Sequence, residues 1–306
     1  LITVIAVMSG FQREIRDRLL GSVAHVTVAG YGSPLEDWAT VVEVARADGR
    51  VVGAAPYVQR EGLLSGARTS AGLVMGIRPD QERGVSELAT RMRSGSIDDL
   101  VDGGFGILLG DQLAIALGVR VGDRINVTLN EFTSTPIGAI PRSKRFTVVG
   151  TFSMGEHTAD SSFAFIALGD AQRLLRMGEG VSGVRIRVAD LWTAGTVADD
   201  LAARLPIPVV ASDWMRDNRN FFSALALERT VMFLLLSLVV TIASFNLVSS
   251  LVMLVQEKQA DIAILRTLGL TPRQVMGVFI VQGSVIGFVG TTLGVIGGVL
   301  LGTNLG

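Results

Sequence analysis

Two long stretches of this chain carry no charge at all, and the remainder alternates on short periods. Thr230–Val255 and Val275–Leu301 contain no Asp, Glu, Lys or Arg. At 1.5 Å per residue each makes a helix of about 40 Å, longer than the ~30 Å hydrocarbon core of a bilayer, so both are predicted to span a membrane with some tilt. A third apolar piece, Leu1–Ser9, is too short to span and runs without a break into the amphipathic Gly10–Gly21. It reads as the outer half of a membrane helix that starts before residue 1. The last apolar run continues almost to Gly306. A protein that extends beyond both ends of these residues is therefore expected.

Between the apolar pieces lie about 200 residues of ordinary globular composition, enough for real cores. His25–Gly30 alternates as a strand, Ser33-Pro34-Leu35-Glu36 reads as a capping box opening a helix to Asp48, and a strand follows from Val51. The same order returns downstream: a strand at Gly183–Ala189, a helix at Ala194–Leu205 and a short strand at Pro208–Ser212. Between these arms, Arg60–Met177 is mostly short strands (Arg68–Ile77, Asp123–Asn130, Arg145–Met154, Ser162–Leu168), with helices at Asp111–Leu117 and Gly169–Arg176. The pattern predicts a two-lobed α+β domain with a β-rich lobe, about 60–180, inserted into the other.

Composition supports the membrane reading, since charged residues make up 18% of the chain against the roughly 25% usual for soluble domains. A net charge of −1 without any basic block argues against a nucleic-acid partner, and a chain without Cys forms no disulfides. Catalytic signals are missing. His25 and His157 stand alone, in a strand and a loop, without metal-ligand spacing. Gly103–Gly110, "GGFGILLG", brushes against a dinucleotide fingerprint with the wrong spacing and reads as a turn into a strand and helix. No P-loop, nucleophile elbow or Ser-x-x-Lys occurs. The chain is not read as an enzyme.

Two features of the apolar part go beyond spanning. Gly290, Gly294, Gly298, Gly302 and Gly306 recur every fourth residue, with Gly283 and Gly287 before them, so one helix face lacks side chains and suits close helix packing. The preceding helix carries Thr241, Ser244, Asn246, Ser249 and Ser250, candidates for hydrogen bonds between helices. Between the two spans, Ala260, Ile262, Ala263, Ile264, Leu265 and Leu268 alternate with Glu257, Lys258, Asp261 and Arg266 in a short amphipathic helix. Gly269 suits its left-handed cap, and Thr271-Pro272-Arg273-Gln274 restarts a helix with a second capping box. A solvated loop needs no such punctuation, so this is read as a lever at the membrane surface whose apolar face docks into something.

Gln256–Gly283 resembles the coupling segment of FtsX- and MacB-type permeases, and the whole chain resembles the lipoprotein-releasing ABC transporter permeases of the LolC/LolE family. The resemblance is spread over Val7–Val28, Leu108–Val127, Thr135–Phe152 and Phe221–Leu251. "SMGEHTAD", Ser153–Asp160, departs from the aromatic, acidic pattern of the family at that place.

The resemblance implies a membrane α-helical permease with an inserted two-lobed α+β periplasmic domain, a MacB-like periplasmic core. It divides the chain into 1–22, the outer part of a first membrane helix; 23–228, the periplasmic domain; 229–256, a membrane helix; 257–274, a cytoplasmic coupling helix; and 275–306, a further membrane helix of an FtsX-like permease domain, which implies a fourth helix after Gly306 and both termini in the cytoplasm. It implies a Gram-negative inner-membrane location, a second permease, identical or paralogous, and a separate ABC ATPase that binds ATP and Mg, so no cofactor is expected in this chain. Glu257, Lys258, Asp261, Ile264, Leu265, Arg266 and Gly269 would meet that ATPase. A periplasmic lipoprotein carrier would dock on the Pro-bounded loop Thr135–Lys144, through Pro136, Ile137, Gly138, Ile140 and Pro141. Lipoprotein cargo would pass from membrane lipid to that carrier. The competing readings are a permease of the same superfamily serving efflux or cell division, and a membrane-anchored extracytoplasmic sensor. Local charge does not fix the orientation, because Arg216, Arg219 and Arg229 before the second span balance Lys258, Arg266 and Arg273 after it, and Arg13, Arg16 and Arg18 fall on the side the family places in the periplasm.

Overall fold

The computed structural model describes residues 10, 24–135 and 138–304. In chain order the elements are β1 (Val26–Gly30), α1 (Trp38–Arg46), β2 (Val51–Ser65), β3 (Thr69–Ile77), α2 (Pro79–Glu82), β4 (Met92–Ser94), β5 (Gly106–Gly110), α3 (Asp111–Leu117), β6 (Arg124–Thr135), β7 (Gly138–Phe152), α4 (His157–Ser162), β8 (Phe163–Ala167) and α5 (Leu168–Leu175). There follow β9 (Gly183–Val188), α6 (Ala194–Arg204), β10 (Val209–Asp213), α7 (Trp214–Asp217), α8 (Arg219–Glu257), α9 (Gln259–Thr267) and α10 (Pro272–Asn304).

The two matching arms predicted from the sequence, β1-α1-β2 and β9-α6-β10, interleave in one antiparallel sheet of order β10-β1-β9-β2. This is the strand order of a split β-α-β unit. Alternation places Val26 and Val28 of β1, with Val184 and Ile186 of β9, on the face that α1 and α6 cover with Val41, Val42, Ala45, Val197, Ala198 and Leu201. Full burial of a Val or Leu side chain contributes about 1.5–3 kcal/mol each, which fixes both helices on the sheet.

One helix start differs from its prediction. Helix α1 begins at Trp38, after Asp37, and the Ser33 capping box does not form. Leu35 is buried, and its N–H and carbonyl pair with Val181 at 2.8 and 3.0 Å. Burying that side chain in a strand-like bridge keeps Leu35 out of the helix, which outweighs a cap worth about 1 kcal/mol.

The inserted β-rich segment is joined to the arms by β2. Val51–Tyr57 of this strand pairs with β9, Tyr57–Ser65 pairs with β3, and Gly62–Ser65 also pairs with β6. From β2 the ladder runs through β3, β8, β5 and β7 to β6 and returns to β2, closing a six-stranded ring. Leu64, Ile107, Leu109, Ile125, Val127, Phe146 and Val148 belong to the same core as the arms. Leu108, on the other face of β5, joins Met75, Ile77, Phe152 and Phe165 in a second cluster. The two lobes therefore share a strand, a sheet and most of a core.

Buried carboxylates shape the connections. Asp170, at the start of α5, is fully buried and accepts the N–H groups of Gly103 and Phe105 at 2.9 and 3.0 Å and the Arg173 guanidinium at 2.9 Å. The glycine-rich segment is thus a turn whose amides are taken by a carboxylate. Asp160 organises Ser153–Asp160: it accepts from Ser153 Oγ, Met154 N–H and Gly155 N–H, while Glu156 caps α4 through the Thr158 and Ala159 amides. At the opposite end, Arg50 holds the Asp48 carboxyl far below the usual carboxylate range through side-chain and backbone hydrogen bonds, helped by Arg204. His25 faces the Val188 backbone at 3.2 Å, a structural position, and His157 is exposed.

The domain ends at Arg219, and the helices from Asn220 onward form a separate unit. Within it, Thr230–Glu257 of α8 and Pro272–Thr303 of α10 are apolar enough to cross a membrane and are not buried. Helix α8 starts ten residues before the predicted boundary at 229. Two of the polar residues proposed for contacts between helices, Thr241 and Ser244, donate their hydroxyls to the Ser237 and Val240 carbonyls of their own helix, each at 2.8 Å. Such i−4 bonds satisfy a hydroxyl where no water reaches it. At Gly290 and Gly294 no atom stands within 4 Å of where a Cβ would sit, so this part of the bare face is open. Gly302 is half-exposed and Gly298 keeps an interaction within the chain.

Asp170→Asn tests the buried turn. One amide NH2 would face donors that need an acceptor, so the variant should lose about 2–3 kcal/mol of domain stability, measured by urea unfolding. A change below about 0.5 kcal/mol, the range of neutral surface substitutions, would show that the turn does not rely on this carboxylate.

Candidate coupling elbow and docking hairpin

The predicted lever is an elbow made of three helices. Helix α8 stops at Glu257 and α9 starts at Gln259, with Lys258 alone departing from helical geometry (φ −94°, ψ 9°). Backbone bonds bridge the break, from Lys258 N–H to the Leu254 carbonyl at 3.1 Å and from Ile262 N–H to the Lys258 carbonyl at 2.9 Å. Lys258 Nζ lies 3.0 Å from Asp261 Oδ2, which holds the ammonium above its usual range. Both partners are exposed, so the pair orients the break and adds little stability.

The far end of α9 closes as a Schellman motif. Gly269 takes φ +99°, its N–H bonds the Arg266 carbonyl, and the Leu270 N–H bonds the Leu265 carbonyl, each at 3.2 Å. Two residues on, Gln274 Oε1 accepts the Thr271 N–H and hydroxyl at 2.9 Å each, with Pro272 at the first helical position. Only the Gln274 half of the predicted capping box forms, because the Thr271 hydroxyl donates to the glutamine instead of accepting a backbone N–H.

The inner side of the elbow encloses a cleft of about 260 Å³, lined chiefly by Leu254, Ile262, Leu265, Leu270, Val275 and Phe279. Leu265 is therefore shared: it is 40% exposed yet lines the inside of the bend. The freely presented apolar side chains are Ile264, 59% exposed, and Leu268, 75% exposed. Four residues apart, they lie above one another on the helix surface, with exposed Glu257, Asp261 and Arg266 nearby. The sequence-based list of contact residues lacks Leu268, although the i, i+4 spacing from Ile264 is the signal that marks it. Gly269 serves the cap, and Lys258 and Asp261 serve the bend.

The second candidate site is the β6–β7 hairpin. Its ladder runs outward through Phe132–Pro141, Thr133–Ile140, Ser134–Ala139 and Thr135–Gly138 after a register shift beyond Thr128. Gly138, Ile140 and Pro141 of the predicted loop are thus strand residues, and only residues 136–137 separate the strands. Pro136 and Ile137 lie outside the described residues. Neither partner of this outer ribbon pairs elsewhere among the described residues, since β6 meets β2 only over Asn126–Leu129 and β7 meets β5 only from Thr147. That is why Pro141, which lacks an N–H, is accommodated. The ribbon is pinned at its base, where Glu131 accepts from Arg60 and Arg142 at 2.9 Å each and Lys144 Nζ lies 4.4 Å from the Phe105 ring centre.

Comparison with known proteins decides what these parts belong to. The MacB-like periplasmic core domain matches residues 1–204, and the FtsX-like permease C-terminal domain matches residues 233–305. The lipoprotein-releasing system transmembrane protein LolC of Xylella fastidiosa (strain Temecula1) is 54% identical over 305 residues, covering all of this chain and 74% of that protein. The chain belongs to the LolC/LolE family of lipoprotein-releasing permeases. LolC of Neisseria meningitidis serogroup B is 44% identical over 308 residues, again across the whole chain and 74% of that protein. LolE of Haemophilus influenzae is 27% identical over 311 residues with the same coverage. The likeness to LolC/LolE permeases therefore runs through the hairpin and the elbow alike.

Gly269→Val tests the elbow's cap. A branched side chain at positive φ costs about 1–2 kcal/mol, so hydrogen exchange at the Gly269-position and Leu270 amides should quicken roughly tenfold or more. Unchanged exchange would mean that the cap does not hold the end of α9.

Proposed function

We propose that this chain is the permease subunit of an ABC transporter that extracts lipoproteins from the inner membrane of a Gram-negative bacterium and hands them to a periplasmic carrier. ATP hydrolysis takes place in a partner ATPase, which holds ATP and Mg, and the permease converts closure of that partner into movement of its own helices. A LolE-like permease, or a second copy of this chain, completes the membrane part, and the open glycine face of α10 is offered as a packing surface for another helix.

The observation that carries this reading is the elbow: a short helix fixed at both ends, between two membrane-length helices, presenting Ile264 and Leu268 to the outside. Covering both side chains contributes about 3–6 kcal/mol before association costs, enough to seat a partner subunit. Glu257 and Arg266 flank them and set orientation more than affinity. The double variant Ile264→Asp, Leu268→Asp should insert and fold normally yet lose ATPase co-purification by at least about tenfold, since two buried charges cost well over 1.4 kcal/mol. Normal recovery of the ATPase with this variant would remove α9 as the docking element.

The β6–β7 hairpin supports carrier docking on the α+β domain. A two-stranded ribbon that pairs with no further strand among the described residues offers its backbone edges to an extended partner. Ile137→Ser with Ile140→Ser should abolish transfer to the carrier, with the domain's thermal midpoint moving less than about 4 °C, which corresponds to under 1–2 kcal/mol for a domain of this size. Carrier binding at the original affinity in a folded double variant would move the docking site elsewhere.

A further inference from the structure

The chain leaves the domain through a four-residue helix that is tied down more densely than its length explains. The Asp213 carboxylate caps α7 by accepting the Met215 and Arg216 N–H groups at 2.8 and 3.0 Å, and the Trp214 N–H bonds the His25 carbonyl at 3.0 Å. The Arg216 guanidinium turns back on the domain. Its Nε lies 3.1 Å from Asp213 Oδ2, and Nη1 and Nη2 donate to the two oxygens of Asp199, in the middle of α6, at 2.8 and 2.7 Å. The Ser212 hydroxyl donates to Asp217. Hydrogen bonds from Arg216 hold the Asp199 carboxyl below its ordinary range, in agreement with this geometry. Beyond Asp217 only Asn218 separates α7 from α8.

Stability is not what this arrangement supplies. Arg216 and Asp199 are both well exposed, and such pairs contribute little to folding. A bidentate guanidinium–carboxylate pair instead fixes direction. Strand β10 and the bond from the Trp214 N–H to the His25 carbonyl anchor the start of α7, and Arg216 ties its last turn to a second element. The second attachment lands on α6, whose Val197, Ala198 and Leu201 are fully buried. A displacement of α7 is thereby delivered to a helix that cannot shift without moving the core.

We propose that Arg216, held between Asp199 and Asp213, is the positioning residue through which movement of α8 is passed to the periplasmic domain. The inference rests on the permease reading above for the origin of that movement. It assigns the link to one guanidinium and its two carboxylates.

The test uses the full-length permease assembled with its ATPase and partner permease in proteoliposomes. Amide exchange of α6 is compared with and without a non-hydrolysable ATP analogue, beside ATPase rate, thermal unfolding and lipoprotein release. The wild type should show nucleotide-dependent exchange in α6. Arg216→Gln and Asp199→Asn should keep assembly, ATPase rate and unfolding temperature, lose that response, and release lipoprotein about five- to tenfold more slowly, the lower range of coupling between linked sites. Asp199→Glu, which keeps the carboxylate, should retain both. A nucleotide response in α6 that persists in Arg216→Gln, or is absent from the wild type, overturns the assignment, as does a lowered unfolding temperature that accounts for the lost release. A wild type that shows the α6 response but releases no lipoprotein would refute the transport reading and leave the joint standing.

Discussion

The fold depends on the length of one strand. A backbone buried in a core must satisfy every N–H and C=O, and β2 does so for two halves of the domain at once by changing one partner along its length, from β9 to β6, while β3 joins it from Tyr57. A shorter β2 would leave the ring of the inserted segment open. Because the strand is continuous, Leu64 at its far end and Ala54 near its start belong to one core. The insertion is therefore a topological fact of the chain without being a mechanical division of the domain.

Much of this was legible from residue patterns, and the exceptions have identifiable causes. Short apolar, strand-forming runs marked β1, β3, β6, β8 and β9, and the helix Asp111–Leu117 was read with its observed ends; in the structure Gly118 stops it in the left-handed region. The Ser33 box misled because local capping chemistry competed with burial of Leu35 against Val181, a partner nearly 150 residues away that no local pattern announces. The same holds for Asp170: its neighbours in the chain suggest a solvated first-turn acid, and only the return of Gly103–Phe105 explains its burial.

The candidate sites were legible to different depths. Punctuation by Gly269, Thr271 and Pro272 placed the far side of the elbow correctly, since caps are local devices, whereas the break at Lys258 was not read. Which face of α9 turns inward was not, because that depends on α8 and α10 closing around Leu265. The hairpin was read as a loop because two prolines and a glycine usually interrupt strands. A ribbon unpaired on its outer edges among the described residues tolerates Gly138 and Pro141, and that condition is set by where the pairing with β2 and β5 ends. Arg216 carried no sequence signal, as its partners lie on a different helix and at the end of a strand.

The two membrane-length helices differ in a property that composition alone sets. Helix α8 runs through 39 residues without a glycine or proline, whereas α10 contains Gly277, Gly283, Gly287, Gly290, Gly294, Gly297, Gly298 and Gly302. Unbroken side-chain packing along α8 resists bending, and its hydrogen-bonded ladder resists compression, so an axial step at Glu257 reaches Arg219 about 57 Å away with little loss. Glycine removes that lateral support from α10 and leaves it the more pliant of the pair. One helix is thus built as a pushrod and the other as a bearing surface that bends to fit whatever lies beside it.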